Sequence, residues 1–228
     1  MLSLSSQTTK INGIELTLDP EVMSPDMIDV IRSGAYEATE ASEIARIVQP
    51  GERVVELGTG IGFIAITAMQ TGSVVSLASY EANPRLIPLI RKNMALNGIS
   101  FEVHNAVIDP REDGGTRPFY IRKDFWASSL SPEPWGFLEQ VEIPRVSFAR
   151  MIDQYRPSLL IVDIEGAEEF LFRDVPLTGV KKVYMELHQG VIGRIGMKKV
   201  FDFMSSRDFH YDQWHSHGSV VLFSHVLR

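Results

Sequence analysis

The feature that most constrains the fold is an alternation of short, almost wholly apolar runs with helix-forming segments. The clearest runs are RVVEL (53–57), VVSLASY (74–80), LLIVDI (159–164) and VYMELH (183–188). Strands that are apolar on both sides are buried on both sides, as in a parallel sheet covered by helices on each face. The sequence therefore predicts an α/β fold with a mostly parallel sheet.

Composition excludes several classes of protein. The 228 residues are 44% apolar and 22% charged, which is globular rather than disordered composition, and the chain has no cysteine for disulfides, thiolate metal sites or nucleophiles. The net charge of −7 argues against a nucleic-acid partner, which needs clustered Lys and Arg. No apolar run reaches about 18 residues and the N-terminus lacks a secretory pattern, so we expect a cytoplasmic protein with no membrane partner.

The chain divides into an N-terminal cap and one larger domain. Residues 1–50 predict a hairpin followed by helices, and residues 51–228 carry the alternating pattern. Residues 110–146 are rich in proline and interrupt that pattern, which predicts an irregular insertion with two short strands, FYIRK and VEIPRV, that acts as a lid or an edge elaboration. Within it, Trp126 and Trp135 either stack on an acceptor molecule or cover a sheet edge.

A glycine-rich turn, VVELGTGIGFIA, connects the first apolar run to a helix. Gly58, Gly60 and Gly62 lack a Cβ, so the turn can be tight and a ligand can approach the backbone closely. The G-x-G-x-G spacing differs from the G-x-x-G ending of dinucleotide-binding turns. Glu56, just before the turn, is unfavourable beside a pyrophosphate, so a cationic, phosphate-free cofactor such as S-adenosylmethionine fits better than a nicotinamide dinucleotide.

Glu81 supports the same interpretation. It ends the second strand, 19 residues after Gly62, where a carboxylate can accept hydrogen bonds from both hydroxyls of an adenosine ribose. Alone, the glycines also fit an ordinary tight strand–helix turn, and Glu81 alone also fits a solvated strand end. Together, within one βαβ unit, they predict an S-adenosylmethionine site.

Residues 36–190 resemble the FkbM family of S-adenosylmethionine-dependent methyltransferases. The resemblance lies in ELGTGIG, YEANP, NMALNG followed by HNAVID, SSL, and above all in the D-x-E-G-A-E segment at 163–168 followed by VYMELH. It implies a class I methyltransferase (Rossmann-like) fold, whose seven-stranded sheet has an antiparallel last strand. It also implies O-methylation, commonly of sugar or secondary-metabolite hydroxyls.

One position departs from the family pattern. Ile161 stands where the family often carries a lysine, two residues before Asp163. This departure leaves open a second function, a non-catalytic protein of the same fold that binds S-adenosylmethionine without transferring its methyl group.

Three further residues are candidates for cofactor contacts. Tyr36 lies just before the first strand, where methyltransferases often contact the methionine end of the cofactor. Asn105 and Ala106 end the third strand, which FEVHNAVI (101–108) predicts, near the expected adenine edge. A buried tyrosine and a turn-forming asparagine are equally good interpretations. The expected cofactor contacts are Tyr36, Glu56, Gly58, Thr59, Gly60, Gly62, Glu81, Ala82, Asn105, Ala106 and Asp163.

The predicted catalytic residues are Asp163, Glu165 and His188. If the fourth and fifth strands are neighbours, Asp163 and His188 lie at one edge of the sheet, where His188 would take the proton of a small-molecule hydroxyl acceptor. In a variant of this mechanism, Asp163, Glu165 and Glu186 hold a divalent cation such as Mg²⁺ that lowers the pKa of the hydroxyl. The sequence does not decide metal dependence, and a homo-oligomer is left open.

Overall fold

The computed structural model describes residues 7–111, 113–133, 136–173 and 175–227. The N-terminal part comprises β1 (Gln7–Ile11), β2 (Ile14–Leu18), α1 (Pro25–Ser33) and α2 (Ala38–Ile47). β1 and β2 form an antiparallel hairpin across Asn12 and Gly13. The Ser24 hydroxyl accepts a hydrogen bond from the backbone N–H of Met27, which caps the start of α1.

The remainder of the chain alternates strands and helices in the predicted way. The first part contains β3 (Glu52–Leu57), α3 (Phe63–Gln70), β4 (Val74–Tyr80), α4 (Ile87–Leu96), β5 (Glu102–His104), β6 (Val107–Asp109), β7 (Thr116–Ile121) and β8 (Glu139–Ser147). The second part contains α5 (Phe148–Tyr155), β9 (Leu159–Val162), α6 (Glu168–Leu171), β10 (Lys182–Glu186), α7 (Gln189–Ser206), β11 (Phe209–His217) and β12 (Val220–His225).

The main sheet has seven strands in the order β11-β12-β10-β9-β3-β4-β5. β3 pairs in parallel with both β4 and β9, and β10 pairs in parallel with β9. β12 pairs antiparallel with both of its neighbours, β10 and β11. The predicted Rossmann-like fold, with a seven-stranded sheet and an antiparallel last strand, is confirmed.

Two separate apolar layers cover the faces of this sheet. Val54 on β3 and Ile161 on β9 face one layer, which includes the hairpin and helices α1 to α4. Their neighbours Val55 and Leu160 face the other layer, which includes α5, α6 and α7. Because successive strand residues point to opposite faces, this burial on both sides explains the continuous apolar runs. Among the described helices, none has the length and apolar character to cross a membrane.

The third strand differs from the expectation. The predicted single strand at 101–108 is split: β5 completes the main sheet, while β6 pairs in parallel with β8. The two short strands predicted in the insertion correspond to β7 and β8, which pair antiparallel and, with β6, form a separate three-stranded sheet. Trp135 lies outside the described residues. The boundary at residue 50 stays a prediction, although the apolar layer of the hairpin continues into the main domain.

Candidate functional site

A cleft opens where β3, β4 and β9 end, at the carboxyl edge of the main sheet. Its empty volume, including the open mouth, is about 850 Å³. This edge is where open parallel sheets bind their ligands. The predicted cofactor residues that line the cleft are Tyr36, Gly58, Gly60, Glu81, Ala82, Ala106 and Asp163.

The glycines of the turn have different structural roles. A Cβ on Gly58 would lie 1.6 Å from the backbone carbonyl oxygen of Asp163, so the ends of β3 and β9 approach this closely only because residue 58 is glycine. A Cβ on Gly60 would lie 3.1 Å from the hydroxyl of Tyr36, inside the cleft. Gly62 begins α3, and a Cβ there would meet Ile90 at 3.3 Å, so its role is in helix packing.

Glu81 holds the turn in place. Its Oε2 accepts a hydrogen bond from the backbone N–H of Gly60 at 2.9 Å, and its Oε1 accepts one from the N–H of Asn83 at 2.6 Å. The side chain is buried, and burial raises the pKa of this carboxyl to about 7 against the opposing effect of these backbone hydrogen bonds. A carboxylate has about four acceptor positions, so further positions remain for the hydroxyls of a ribose.

Aromatic side chains form one wall of the cleft. The ring of Tyr36 lies 6.3 Å from that of Phe125 and 6.5 Å from that of Trp126, measured between centroids. Burial, together with the neighbouring Glu37, raises the pKa of the Tyr36 hydroxyl well above its usual value. The hydroxyl therefore keeps its proton at neutral pH. Phe125 was not predicted from the sequence, because nothing in the insertion indicates which aromatic residue turns inwards.

Glu56 and Thr59 lie in a smaller pocket that adjoins the cleft. Glu56 is 1% exposed, and its Oε2 has no hydrogen-bond partner among the described residues. Burial, together with repulsion from Glu81 and Asp163, raises the pKa of the Glu56 carboxyl well above its usual range, against the opposing effect of a hydrogen bond with Thr59. A buried carboxyl oxygen without a partner favours a ligand that brings a positive charge or a donor to this point.

Asn105 has a structural contact that the sequence did not predict. Its Nδ2 donates hydrogen bonds to the carbonyl oxygens of Glu81 (2.9 Å) and Ala82 (3.0 Å). The amide nitrogen therefore joins the ends of β4 and β5, whereas the next residue, Ala106, lines the cleft. Contact between Asn105 and an adenine ring stays a prediction, which this arrangement of the amide does not favour.

The predicted catalytic residues come together at the ends of two adjacent strands. β9 and β10 pair directly, with Val162 opposite Met185, as the sequence predicts for the strands before Asp163 and His188. His188 Nε2 lies 3.2 Å from Glu165 Oε2 and 3.9 Å from Asp163 Oδ1.

Glu168 is a further partner of this cluster, and sequence reasoning gave it no role of its own. Its Oε1 lies 2.7 Å from His188 Nδ1 and accepts a hydrogen bond from the backbone N–H of Gly166 at 3.0 Å. Glu168 is fully buried. Its position in the D-x-E-G-A-E segment marked Glu168 as a residue of interest. The segment alone does not show that this last acid contacts a histidine 20 residues further along the chain.

Charge interactions within the cluster change its protonation. The pKa of His188 is raised to about 9 by the hydrogen bond with Glu168 and by nearby carboxylates, against the opposing effect of burial. Burial and the neighbouring Glu186 raise the pKa of Glu165 to about 7, although His188 acts in the other direction. His188 is therefore in its charged, doubly protonated form at neutral pH when no ligand is bound. Its role as a general base stays a prediction.

The comparisons with known sequences point to methyltransferases. Residues 12–116, just under half of the chain, match the model of the TRM5/TYW2 methyltransferase domain. A ribosomal protein L11 methyltransferase of Symbiobacterium thermophilum is 30% identical over 71 residues, which cover 31% of this chain and 23% of that protein. One from Thermus thermophilus is 32% identical over 82 residues, or 35% of this chain and 31% of that protein. The alignments thus span less than a third of these curated relatives.

Solved structures of low sequence identity share the fold. Trm5b from Pyrococcus abyssi matches with a TM-score of 0.53 and 14% identity, over 97% of this chain and 56% of its own. TYW2 from P. horikoshii, solved with MeSAdo, matches with a TM-score of 0.51 and 12% identity, over 97% and 70%. The match over residues 12–116 is to a methyltransferase domain, in agreement with the predicted class, and the solved structures share the predicted fold.

Two parts of the sequence interpretation need correction. The family comparison finds TRM5/TYW2 rather than FkbM, although its match ends at residue 116, before the D-x-E-G-A-E segment at 163–168. The prediction of a small-molecule acceptor and no nucleic-acid partner is wrong, because the similar proteins are named for ribosomal protein L11 and tRNA. Net charge is a sum over the whole chain, and it does not describe the surface that meets a partner.

Proposed function

We propose that this chain transfers the methyl group of S-adenosylmethionine to a side chain of a protein acceptor. The observation that carries the proposal is the cleft itself. One side is the glycine turn held by Glu81, and the other is an acidic cluster around Asp163 that opens to the surface.

The cofactor would lie along the ends of β3 and β4. Glu81 and the backbone around Ala82 and Ala106 suit the adenosine half, since they combine a carboxylate with small apolar groups. The cationic methionine half would lie towards Glu56, whose Oε2 is buried without a hydrogen-bond partner among the described residues, and towards the protonated hydroxyl of Tyr36. This orientation points the sulfonium methyl at the acidic cluster.

Methyl transfer depends mainly on positioning, because the cofactor itself activates the methyl group. Asp163 lines the cleft between the glycine turn and the β10 end, so it is placed to orient an acceptor group. Glu165 lines the same cleft, in an unusual backbone conformation with φ +52°. Strained backbone at such a position is characteristic of functional sites.

The surface around the acidic cluster favours a protein as the acceptor. Phe170, Val191 and Ile195 are 52%, 57% and 74% exposed, and they lie on α6 and α7. Val191 contacts the Glu165–Gly166 turn, since a Cβ on Gly166 would meet its Cγ1 at 2.4 Å. Exposed apolar side chains beside acidic groups are suited to a basic protein segment, and two curated relatives are named for a ribosomal protein.

The test is transfer of a radiolabelled methyl group from S-adenosylmethionine to a mixture of ribosomal proteins and, separately, to bulk tRNA. We expect label that is removed by protease and resists ribonuclease. The Glu81→Gln variant should lose most of the transfer, whereas His210→Ala, a change at an exposed residue on β11, should not. Ribonuclease-sensitive label would replace the protein acceptor with RNA. Tight cofactor binding without transfer to either mixture would favour the non-catalytic alternative.

A further inference from the structure

His188 is oriented by a hydrogen bond on the side of its ring that faces away from the cleft. The Oε1 of Glu168 already accepts the Gly166 N–H, and it lies 2.7 Å from His188 Nδ1, so Nδ1 is the donor of that pair. The other ring nitrogen, Nε2, then points towards Asp163 and Glu165. Histidines that bind metals are usually held in this way, with one nitrogen donating to a carboxylate and the other free to coordinate.

Nε2 lies 3.2 Å from Glu165 Oε2, so a metal ion would take the place of the Nε2 proton. Three potential ligands lie close together at this point. Asp163, Glu186 and His188 each offer one ligand atom, and these atoms all lie within 4.8 Å of one another. The ligands come from the carboxyl ends of two directly paired strands, β9 and β10, which fix their spacing through the backbone. Ser219 donates a hydrogen bond to Glu186 Oε1 at 3.1 Å, which orients that carboxylate.

A second observation is that one oxygen of this cluster lacks a hydrogen-bond partner. Asp163 Oδ1 is buried and makes no hydrogen bond with any described residue. Its contact with His188 Nε2, at 3.9 Å, is too long for a hydrogen bond. A buried carboxylate oxygen without a donor is unfavourable unless a cation or a donor from a ligand reaches it.

We propose that Asp163, Glu186 and His188 bind one divalent transition-metal ion. The set contains an imidazole nitrogen as well as two carboxylates, which suits Mn²⁺ or Zn²⁺ better than Mg²⁺. The sequence had indicated Mg²⁺ on Asp163, Glu165 and Glu186, whereas the geometry replaces Glu165 with His188.

Asp163 and Glu186 both line the smaller pocket, and Asp163 also lines the cleft, so three protein ligands would leave coordination positions open where the two meet. An acceptor oxygen bound there would have its pKa lowered by the metal, beside the expected position of the sulfonium methyl. This catalytic role rests on the proposed methyltransferase function. Binding of the metal does not, and it is measured without acceptor or turnover.

The experiment is a titration of the chelator-treated full chain with Mn²⁺, in which electron paramagnetic resonance reports the free ion. We expect one bound ion per chain and at least about a tenfold weaker Kd in Glu186→Gln and in His188→Gln, because each loses a ligand. Two matched controls, Glu142→Gln and His210→Gln, change exposed residues elsewhere and should bind as the parent does. Calorimetry with S-adenosylhomocysteine is the control that tests whether each variant keeps a folded cofactor site.

Either of two results overturns the proposal. If the parent binds no Mn²⁺ or Zn²⁺ at concentrations up to about 1 mM, the cluster is an ion pair of His188 with its carboxylates and nothing more. If Glu186→Gln and His188→Gln bind the metal as tightly as the parent, the ion lies elsewhere. Failure of the proposed methyltransferase function would give a different result: methyl transfer would be absent while metal binding stays intact.

Discussion

Replacing Glu81 with glutamine tests the cofactor site most directly. The two carboxylate oxygens of Glu81 accept from two different backbone donors, the N–H of Gly60 and the N–H of Asn83. Glutamine has one acceptor oxygen and one NH₂ group, so one of these donors would face another donor. The variant keeps the size of the side chain but cannot preserve both contacts and also bind a ribose.

The magnitude follows from the hydrogen bonds that are lost. A hydrogen bond to a charged group contributes about 1.5–3 kcal/mol, and a buried donor without an acceptor costs about 1–3 kcal/mol. Loss of one ribose bond therefore weakens S-adenosylhomocysteine binding about tenfold or more. The mismatched backbone donor should lower the free energy of unfolding by about 1–3 kcal/mol.

The dependence on pH gives a sharper signature. Burial raises the pKa of Glu81 from 4.5 to about 7, and only the ionised form accepts bonds from both ribose hydroxyls. Parent affinity should therefore fall about tenfold per pH unit below 7 through this group. An acid whose pKa is higher in the folded state stabilises the fold as pH falls from about 7 towards 4.5, so the weaker binding is not unfolding caused by Glu81.

The assay is calorimetry with S-adenosylhomocysteine between pH 5.5 and pH 8 on the parent, on Glu81→Gln and on Glu102→Gln. Glu165 also titrates near pH 7 in the cleft, so the informative quantity is the difference in slope between parent and variant, which should be about one proton. Glu102 is an exposed control that accepts a hydrogen bond from Tyr155 at 2.8 Å. Equal affinities and equal slopes in parent and Glu81→Gln would refute the ribose assignment.

Further predictions concern packing, the acceptor and the chemical step. Gly58→Ala should lower the free energy of unfolding by about 3 kcal/mol or more, because its Cβ would collide with backbone, whereas Gly72→Ala, also at positive φ but in open space, should lose about 1–2 kcal/mol in chemical denaturation. Trp126→Ala should raise the KM for the acceptor about fivefold and leave the calorimetric affinity for S-adenosylhomocysteine unchanged. His188→Ala should lower turnover by about a hundredfold or more at unchanged cofactor affinity, and turnover within about twofold of the parent would remove it from the mechanism.

Local sequence signals were sufficient for the centre of the fold. The apolar runs around Val54 and Leu160 had to be buried on both faces, and only a parallel sheet between helices does this. The direct pairing of β9 with β10 came from the implied family topology rather than from the residues themselves. Once that topology was assumed, it correctly placed Asp163 near His188.

The edges of the sheet were harder to predict. β11, Phe209–His217, is rich in polar residues and lies at the edge, so it lacks the apolar run that marks the central strands. The segment at 101–108 reads as one strand because its pattern is continuous, yet the chain leaves the main sheet after His104. Its second half pairs with β8, about 38 residues further on, and such distant pairing leaves no local signal.

In the candidate site, too, local features were predictable from the sequence and long-range contacts were not. Glu81 was predictable because the glycine turn and the next strand end are linked within one βαβ unit. The contact of Glu168 with His188 depends on how α6 packs beneath the end of β10, and spacing alone does not reveal it. For Asn105, the predicted position at a strand end was right. Its amide nitrogen, however, donates to the backbone carbonyl oxygens of Glu81 and Ala82 and does not point into the cleft as a ligand contact would.

The concentration of acids around Asp163 connects stability with function. Burial and the neighbouring carboxylates raise the pKa of Asp163, and the same causes raise the pKa of Glu37 to about 8. Keeping these carboxyls ionised costs free energy in the empty fold, which selection tolerates where function needs them. A cationic cofactor and a divalent ion would each stabilise the ionised forms, so each should stabilise the folded state. Because both ligands act on the same carboxyls, we expect their binding to be coupled through charge.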